Sequence, residues 1–201
     1  MQILLQFELI QQAGSLWTDA TKAQFLDAIE AGTLPREAFH RWLAQDYLFA
    51  KGLTSAQAVQ AARTPRPAQQ ILIEGLGAMN AELSWFETHM TQRGLELDVE
   101  PNPVCQRYVD FLIASAYEKP PEVLMAMLFG VEAAYLAAWS SLSQHGPYEE
   151  FIQRWSNDLF QNYVIALGEW THSMSHPEAQ EAFNLVLAHE RDFWSMTWDG
   201  E

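Results

Sequence analysis

The chain of 201 residues carries 26 acidic and 11 basic side chains, which gives a formal net charge of −15. This excess of negative charge argues against nucleic acid and against a membrane surface as partners, and it favours a neutral or cationic ligand. Cys105 is the only cysteine, so an intrachain disulfide and a cysteine-based structural zinc site are both excluded. The length predicts a single domain over residues 1–201. The opening MQILLQFELI lacks the features of a signal peptide, so we expect a cytoplasmic protein.

Glycine and proline divide the sequence into about seven predicted helices, and no alternating strand pattern occurs. The expected fold is therefore all-α, a single-domain helical bundle. The predicted helices, in chain order, are 2–30, 33–62, 68–93, one that carries Val104, Tyr108, Phe111 and Leu112, 122 to about 144, 148 to about 170, and one that begins close to Pro177.

Several helix ends carry their own signals. Gly32 and Gly94 suit the left-handed conformation that ends many helices. Thr33 is the predicted N-cap of the second helix, with Pro35 in its first turn, and Ser175 is the predicted cap of the last helix.

The segment 123–139 is a long apolar run, and Glu132 is its only charged residue. Its roughly 17 residues fall slightly short of a membrane span, and the acid interrupts them. We therefore expect a buried core helix.

Three acidic residues, Asp46, Glu132 and Glu190, fall inside the apolar stripes of predicted helices. A buried carboxylate is costly unless it is paired, hydrogen-bonded or protonated. Convergence of the three acids would create a polar pocket in which one carboxyl group holds a proton and acts as general acid while another acts as base. The alternative is that each is a lone buried acid that caps a helix end or bonds Tyr, Trp or Arg.

Aromatic side chains surround these acids at helical spacing and are able to stack a flat heterocycle, although simple core packing explains such a pattern equally well. The rings in question are those of Tyr47, Phe49, Tyr108, Tyr135, Trp139, Trp155 and Trp194.

A metal centre is a further alternative, because Glu82 and His89 lie two turns apart on one helix face. The other candidate ligands are His172, His176, His189 and Asp192. His172 and His176 flank a predicted loop and helix start, where exposed histidines are common, so we expect no metal and no cofactor.

A set of motifs in fixed order resembles the TenA/Thi-4 family, whose heme-oxygenase-like helical fold hosts hydrolases of thiamin breakdown products. The motifs are Gly32-Thr-Leu-Pro35, Phe39-x-x-Trp-Leu-x-Gln45-Asp46-Tyr47, Glu82-Leu83, Tyr108-x-x-Phe-Leu, the run from Leu128 to Trp139, Phe151-x-x-x-Trp155, and Glu190-x-x-Phe193-Trp194-x-Met196.

The resemblance implies roles for single residues. Asp46 matches the aspartate that orients the pyrimidine, and Glu190 matches the glutamate that serves the departing amine. Phe49 and Tyr108 match positions that contact the ring, and we expect Tyr47, Tyr135 and Trp155 to line the same pocket.

The chain departs from the better-known branch of the family at its catalytic cysteine, where it has Gly130. Glu132 resembles the acidic substitute of the cysteine-lacking branch, the TenA-E class, and Trp155 stands where the cysteine branch has a tyrosine. Without a thiolate, carboxylates that activate water and protonate the leaving amine become the expected catalysts.

The resemblance therefore implies an aminopyrimidine hydrolase that converts amino- or formylamino-methylpyrimidine to hydroxymethylpyrimidine for thiamin salvage. One rival is a metal-dependent oxidase on the same fold, with Glu82, His89 and Glu132 as partial ligands. A second rival is a non-catalytic pyrimidine-binding or regulatory protein. A homodimer or homotetramer is expected, because the apolar faces exceed what one core needs.

Overall fold

The computed structural model of the chain describes residues 2–143 and 145–200, and it describes Gln2 by its backbone only. These residues form helices joined by short turns and loops, and no strand occurs among them. The predicted all-α fold class is confirmed. The elements, in chain order, are a 3-10 helix Gln2–Gln6 and the α-helices α1 Glu8–Ala13, α2 Ser15–Thr21, α3 Gln24–Glu30, α4 Arg36–Arg63, α5 Gln69–Gln92, α6 Pro103–Glu118, α7 Pro121–Trp139, α8 Glu149–Ser156, α9 Asp158–Ser173 and α10 Ala179–Asp199.

The prediction of one helix over residues 2–30 is wrong, because the chain breaks three times in this stretch. Gly14 separates α1 from α2 at φ 57° and ψ −122°, a backbone conformation that glycine adopts without steric cost. Lys22 and Ala23 are extended and separate α2 from α3. The four short helices therefore replace the single long one.

The turn between α3 and α4 confirms one predicted cap and corrects another. Gly32 has φ +66°, its N–H donates to the Ile29 carbonyl, and the N–H of Thr33 donates to the Ala28 carbonyl. This pair of bonds is a Schellman motif, so Gly32 ends α3 as predicted. Thr33 does not cap α4, because its backbone closes the preceding helix and Pro35 occupies the N-cap position.

Three later boundaries also differ from the prediction. Helix α7 ends at Trp139, and the predicted end at Gln144 lies outside the described residues. The predicted helix 148–170 is divided at Asn157, whose side chain accepts a hydrogen bond from the Phe160 N–H and caps α9. Ser175 is not the N-cap of α10, because that helix begins four residues later.

The described residues divide into two compact units. One comprises residues up to 34 together with 122–195, and the other comprises 35–121 together with 196–200. The expectation of a single domain over 1–201 stays a prediction.

In the first unit the core is built around α7. Every residue of this helix is buried except Pro121, Glu122 and Tyr135. The helix is long and apolar enough to cross a membrane, but 89% of its most apolar stretch is buried. It is therefore a core helix, as predicted.

In the second unit α4 packs against both α5 and α6. Trp42 and Phe86 join α4 to α5 with ring centroids 6.4 Å apart. Gly52 joins α4 to α6, because a Cβ at this position would lie 2.4 Å from Cγ1 of Val109. The absence of a side chain therefore sets the spacing between these helices.

We predict that Gly52→Ala destabilises the protein by about 1–3 kcal/mol, because the added methyl overlaps a stiff β-branched side chain. Gly77→Ala is the matched control, since a Cβ on this exposed α5 residue would have no neighbour within 4 Å. It is expected to stabilise by about 0.5–1 kcal/mol through helix propensity. Urea unfolding of both variants measures the difference, and equal effects at the two positions would contradict this packing.

Candidate active site

Two of the predicted catalytic acids lie in the first unit and both are buried. Glu132 on α7 is 8% exposed and Glu190 on α10 is 3% exposed. The burial predicted from the apolar stripes is confirmed for both side chains. Each has a bonding or electrostatic partner, as a buried carboxyl group requires.

Helices α7 and α10 run parallel, as two ring contacts show. Phe129 stacks on Phe183 with centroids 5.8 Å apart, and Tyr135 stacks on Trp194 at 5.9 Å with an interplanar angle of 13°. Residue numbers rise in the same direction along both helices, so the contacts fix their register.

Glu132 and Glu190 both fall between these two ring contacts in sequence. Glu132 lies three residues after Phe129 and three before Tyr135, and Glu190 lies seven residues after Phe183 and four before Trp194. The register therefore brings the two residues to a similar level of the helix pair.

Four rings contact one another and form what we call the ring cluster: Tyr135, Trp139, Trp155 and Trp194. Tyr135 lies one turn after Glu132 on α7, and Trp194 lies one turn after Glu190 on α10. Trp155 approaches Tyr135 edge-on at 5.3 Å and Trp139 at 5.2 Å. Trp139 and Trp194 are 6.3 Å apart. Only Tyr135 is partly exposed, so it is the member of the cluster that solvent reaches. Stacked and edge-on rings of this kind suit a flat aromatic ligand.

The position that resembles the catalytic cysteine of other family members faces α10. A Cβ on Gly130 would lie 3.1 Å from Cγ1 of Val186 and 3.2 Å from Cδ2 of Phe183. Those two side chains would have to move by a few tenths of an ångström to admit a Cβ at this position. Glu132 is rotated about 200° from Gly130 around the helix, so it does not replace a side chain at that position in space.

The third acid, Asp46, lies in the second unit and is 4% exposed. Phe49, one turn further along α4, packs against Tyr108 of α6 with ring centroids 4.7 Å apart. Cys105, one turn before Tyr108, donates its thiol hydrogen to the Gln45 carbonyl at 3.4 Å. We call these residues, Asp46, Phe49, Cys105 and Tyr108, the Asp46 cluster.

The thiol of Cys105 is suppressed as a nucleophile. Its pKa is raised to about 12, mainly because the thiol is buried and secondly because the negative charge of Asp46 is nearby. Cys105 is a buried free cysteine. Its position beside Asp46 was not expected, because no acid is near it in sequence and only the packing of α6 on α4 brings the two together.

Tyr47 lies on a different side of α4 from the Asp46 cluster. Its ring contacts Phe86 of α5 at 6.3 Å, and its hydroxyl donates to Oε1 of Glu87 at 3.1 Å. Burial and this hydrogen bond raise the pKa of the phenol. Tyr47 and Phe49 therefore contact different helices, and a role for Tyr47 in substrate binding stays a prediction.

Gln45, which precedes Asp46 on α4, holds the loop before α6 through its side chain. Its side-chain nitrogen donates to the Glu100 carbonyl at 3.1 Å, and its side-chain oxygen accepts from the Asn102 N–H at 2.8 Å. Asn102 in turn caps α6 through the Val104 N–H. This clamp fixes the start of the helix that carries Cys105 and Tyr108.

Among residues 2–143 and 145–200, no group of three or more His, Cys, Asp or Glu side chains is arranged to hold a metal ion. In the Glu82 and His89 pair, the Nδ1 atom of His89 accepts a hydrogen bond from Arg93 at 3.0 Å. Trp85 also contacts the His89 ring, at 4.1 Å. One ring nitrogen of this histidine is thus already occupied.

Comparison with known proteins gives two informative relatives. A probable bifunctional TENA-E protein from Glycine max is 26% identical over 202 residues, which cover 90% of this chain and 88% of that protein. An aminopyrimidine aminohydrolase from Helicobacter pylori is 27% identical over 212 residues, which cover 94% of this chain and 96% of that protein.

Solved structures agree with the fold. A TenA homologue from Pyrococcus furiosus matches with a TM-score of 0.90 at 28% identity, covering 95% of this chain and 98% of that one. A domain from Shewanella denitrificans with a heme oxygenase-like fold matches with a TM-score of 0.75 at 12% identity, covering 94% and 90%. That second likeness concerns the fold alone and confirms the predicted heme-oxygenase-like architecture. The model of the TENA/THI-4/PQQC family matches residues 10–200, and the chain therefore belongs to this family.

Proposed function

We propose that the protein is an aminopyrimidine hydrolase of thiamin salvage, which converts an amino- or formylamino-methylpyrimidine to hydroxymethylpyrimidine. The observation that carries the proposal is the buried pair Glu132 and Glu190, at a similar level of two parallel helices and one turn from the ring cluster. Membership of the family and the likeness to an aminopyrimidine aminohydrolase support the choice of substrate class.

The two glutamates divide the proton transfers between them. Because two carboxyl groups in one apolar environment do not both ionise readily, one holds a proton while the other is a carboxylate. The carboxylate removes a proton from water, whose oxygen bonds to the methylene carbon as the carbon–nitrogen bond breaks. The protonated glutamate gives its proton to the departing nitrogen, and ammonia leaves. Glu190 is assigned to the amine, and Glu132 is assigned to the water.

A formylated substrate requires one earlier step of the same kind. Water adds to the formyl carbon, the amide carbon–nitrogen bond breaks, and formate leaves together with the free amine. The same acid and base serve this step, because it also needs a proton removed from water and a proton given to nitrogen.

Asp46 is assigned to binding of the pyrimidine. A carboxylate accepts hydrogen bonds from the exocyclic amino group and from a protonated ring nitrogen, which together fix the orientation of the ring. Phe49 and Tyr108 of the Asp46 cluster are proposed ring contacts, and Tyr135 and Trp155 of the ring cluster are proposed as further contacts. That Asp46 serves the same substrate as the two glutamates is part of this proposal.

We also propose that the protein is a cytoplasmic homo-oligomer. Large apolar side chains remain exposed in the single chain, among them Leu159 at 83% and Tyr117 at 65%, and a second copy would bury such groups. The lone, buried cysteine suits a reducing compartment.

We predict that Glu190→Gln lowers turnover of the aminomethylpyrimidine by about 10²- to 10⁴-fold, because the amide neither donates nor accepts the proton that the leaving amine needs. Glu181→Gln on the exposed face of the same helix is the matched control and should keep wild-type turnover. Products are resolved by mass, and unfolding midpoints verify that both variants fold. Wild-type turnover by a folded Glu190→Gln variant would refute the assignment.

The wild-type protein should also process the formylaminomethylpyrimidine and leave thiamin intact, since no accessible thiol is available to cleave it. Tight binding of a pyrimidine without any turnover would instead favour the non-catalytic rival.

A separate prediction concerns Cys105. Its raised pKa of about 12 keeps the folded thiol protonated at pH 8, so a disulfide reagent should label it slowly in the native protein and completely in guanidinium chloride. Above about pH 9 the unfolded thiol ionises while the folded thiol does not, so its contribution to stability falls as pH rises. From pH 8 to pH 10 the unfolding free energy of the wild type should therefore fall relative to that of Cys105→Ala. A constant difference, or fast labelling of the native protein, would contradict this burial.

A further inference from the structure

Arg41 makes a set of hydrogen bonds that the proposed reaction does not use. Its Nε donates to the carbonyls of Met196 and Thr197 at 3.2 and 3.1 Å, and its Nη2 donates to the Trp198 carbonyl at 2.6 Å. One guanidinium group thus bonds three successive carbonyls, more than 150 residues away along the chain.

These three carbonyls belong to the final turn of α10, where intrahelical donors run out. The Met196 carbonyl also accepts a hydrogen bond from the Gly200 N–H, at 2.9 Å. Met196 and Thr197 are fully buried, so the surrounding protein leaves little room for water to take the place of the guanidinium. The positive charge also lies at the negative end of the helix dipole. Arg41 is therefore the cap of α10, supplied by a distant helix.

A second bond holds the residue that follows the helix. The side-chain nitrogen of Asn102 donates to the Gly200 carbonyl at 3.3 Å, and the Asn102 N–H is itself fixed by Gln45. The tail of the chain is thus tied at two points, of which Arg41 makes the larger number of bonds.

We propose that Arg41 is a positioning residue for Glu190, an inference that rests on the proposed function. Glu190 precedes Thr197 by two turns, about 10 Å along the same continuous helix. A cap that fixes the end of the helix also fixes its rotation and its position along its axis. Acid–base chemistry is sensitive to such placement, because a displacement of about 1 Å is able to cost 100-fold in rate.

The test is Arg41→Lys, which keeps the positive charge but has a single nitrogen that is unable to span three carbonyls. Arg63→Lys is the matched control, since Arg63 donates to the Ala116 carbonyl in the last turn of α6. Both variants remove a guanidinium that bonds the end of a helix, but only one of the helices carries Glu190. Amide hydrogen exchange and steady-state kinetics are measured on both, in the full-length protein.

We expect Arg41→Lys to lower kcat about 10- to 100-fold while KM changes less than about twofold, because Glu190 acts in the chemical step. Amides of the last two turns of α10 should exchange faster in this variant only. Arg63→Lys should keep kcat within about twofold of wild type, even where it loses as much unfolding free energy, because α6 carries proposed ring contacts but no residue assigned to proton transfer.

An active wild type whose Arg41→Lys variant matches Arg63→Lys in kcat would overturn the positioning role and leave the proposed function intact. Unchanged exchange at the end of α10 in Arg41→Lys would overturn it as well, since the anchor would then not depend on the guanidinium. A wild type without turnover on any of the pyrimidines would instead refute the proposed function, which separates the two failures.

Discussion

The cost of placing carboxyl groups in an apolar core is the constraint on which the candidate site depends. Asp46, Glu132 and Glu190 are each less than 10% exposed, and the free energy of burying an unpaired carboxylate is larger than the whole stability of a typical domain. Each acid must therefore be protonated, bonded or paired.

Two glycines allow helices to pack closely in the two units that carry these acids. Gly130 allows Phe183 and Val186 to pack closely against α7. Gly52 plays the corresponding part between α4 and α6, beside the Asp46 cluster. A side chain at Gly52 would require a shift of the Val109 side chain or of the helices, whereas at Gly130 the neighbouring side chains would have to move by a few tenths of an ångström.

Much of this was readable from the sequence, because the relevant signals are local. The apolar stripes predicted the burial of the three acids, and Gly32 predicted the end of α3. The predictions that were wrong concern helix boundaries and contacts that depend on nonlocal packing or on small differences in free energy. Gly14 breaks a helix that the periodicity favours, and Thr33 closes the preceding helix in place of capping the next. The separation of Tyr47 from Phe49 depends on which helix packs against each side of α4, and the neighbourhood of Cys105 and Asp46 depends on tertiary packing alone. No spacing in the sequence contains that information.

The most direct test of the account is a single turnover of the aminomethylpyrimidine in water enriched in heavy oxygen, with product and protein both analysed by mass. If the paired glutamates act as base and acid, the hydroxymethyl oxygen of the first product comes wholly from solvent and the protein gains no label. Heavy oxygen in Glu132 or Glu190, a covalent adduct on Cys105, or the absence of the hydroxymethyl product would contradict it.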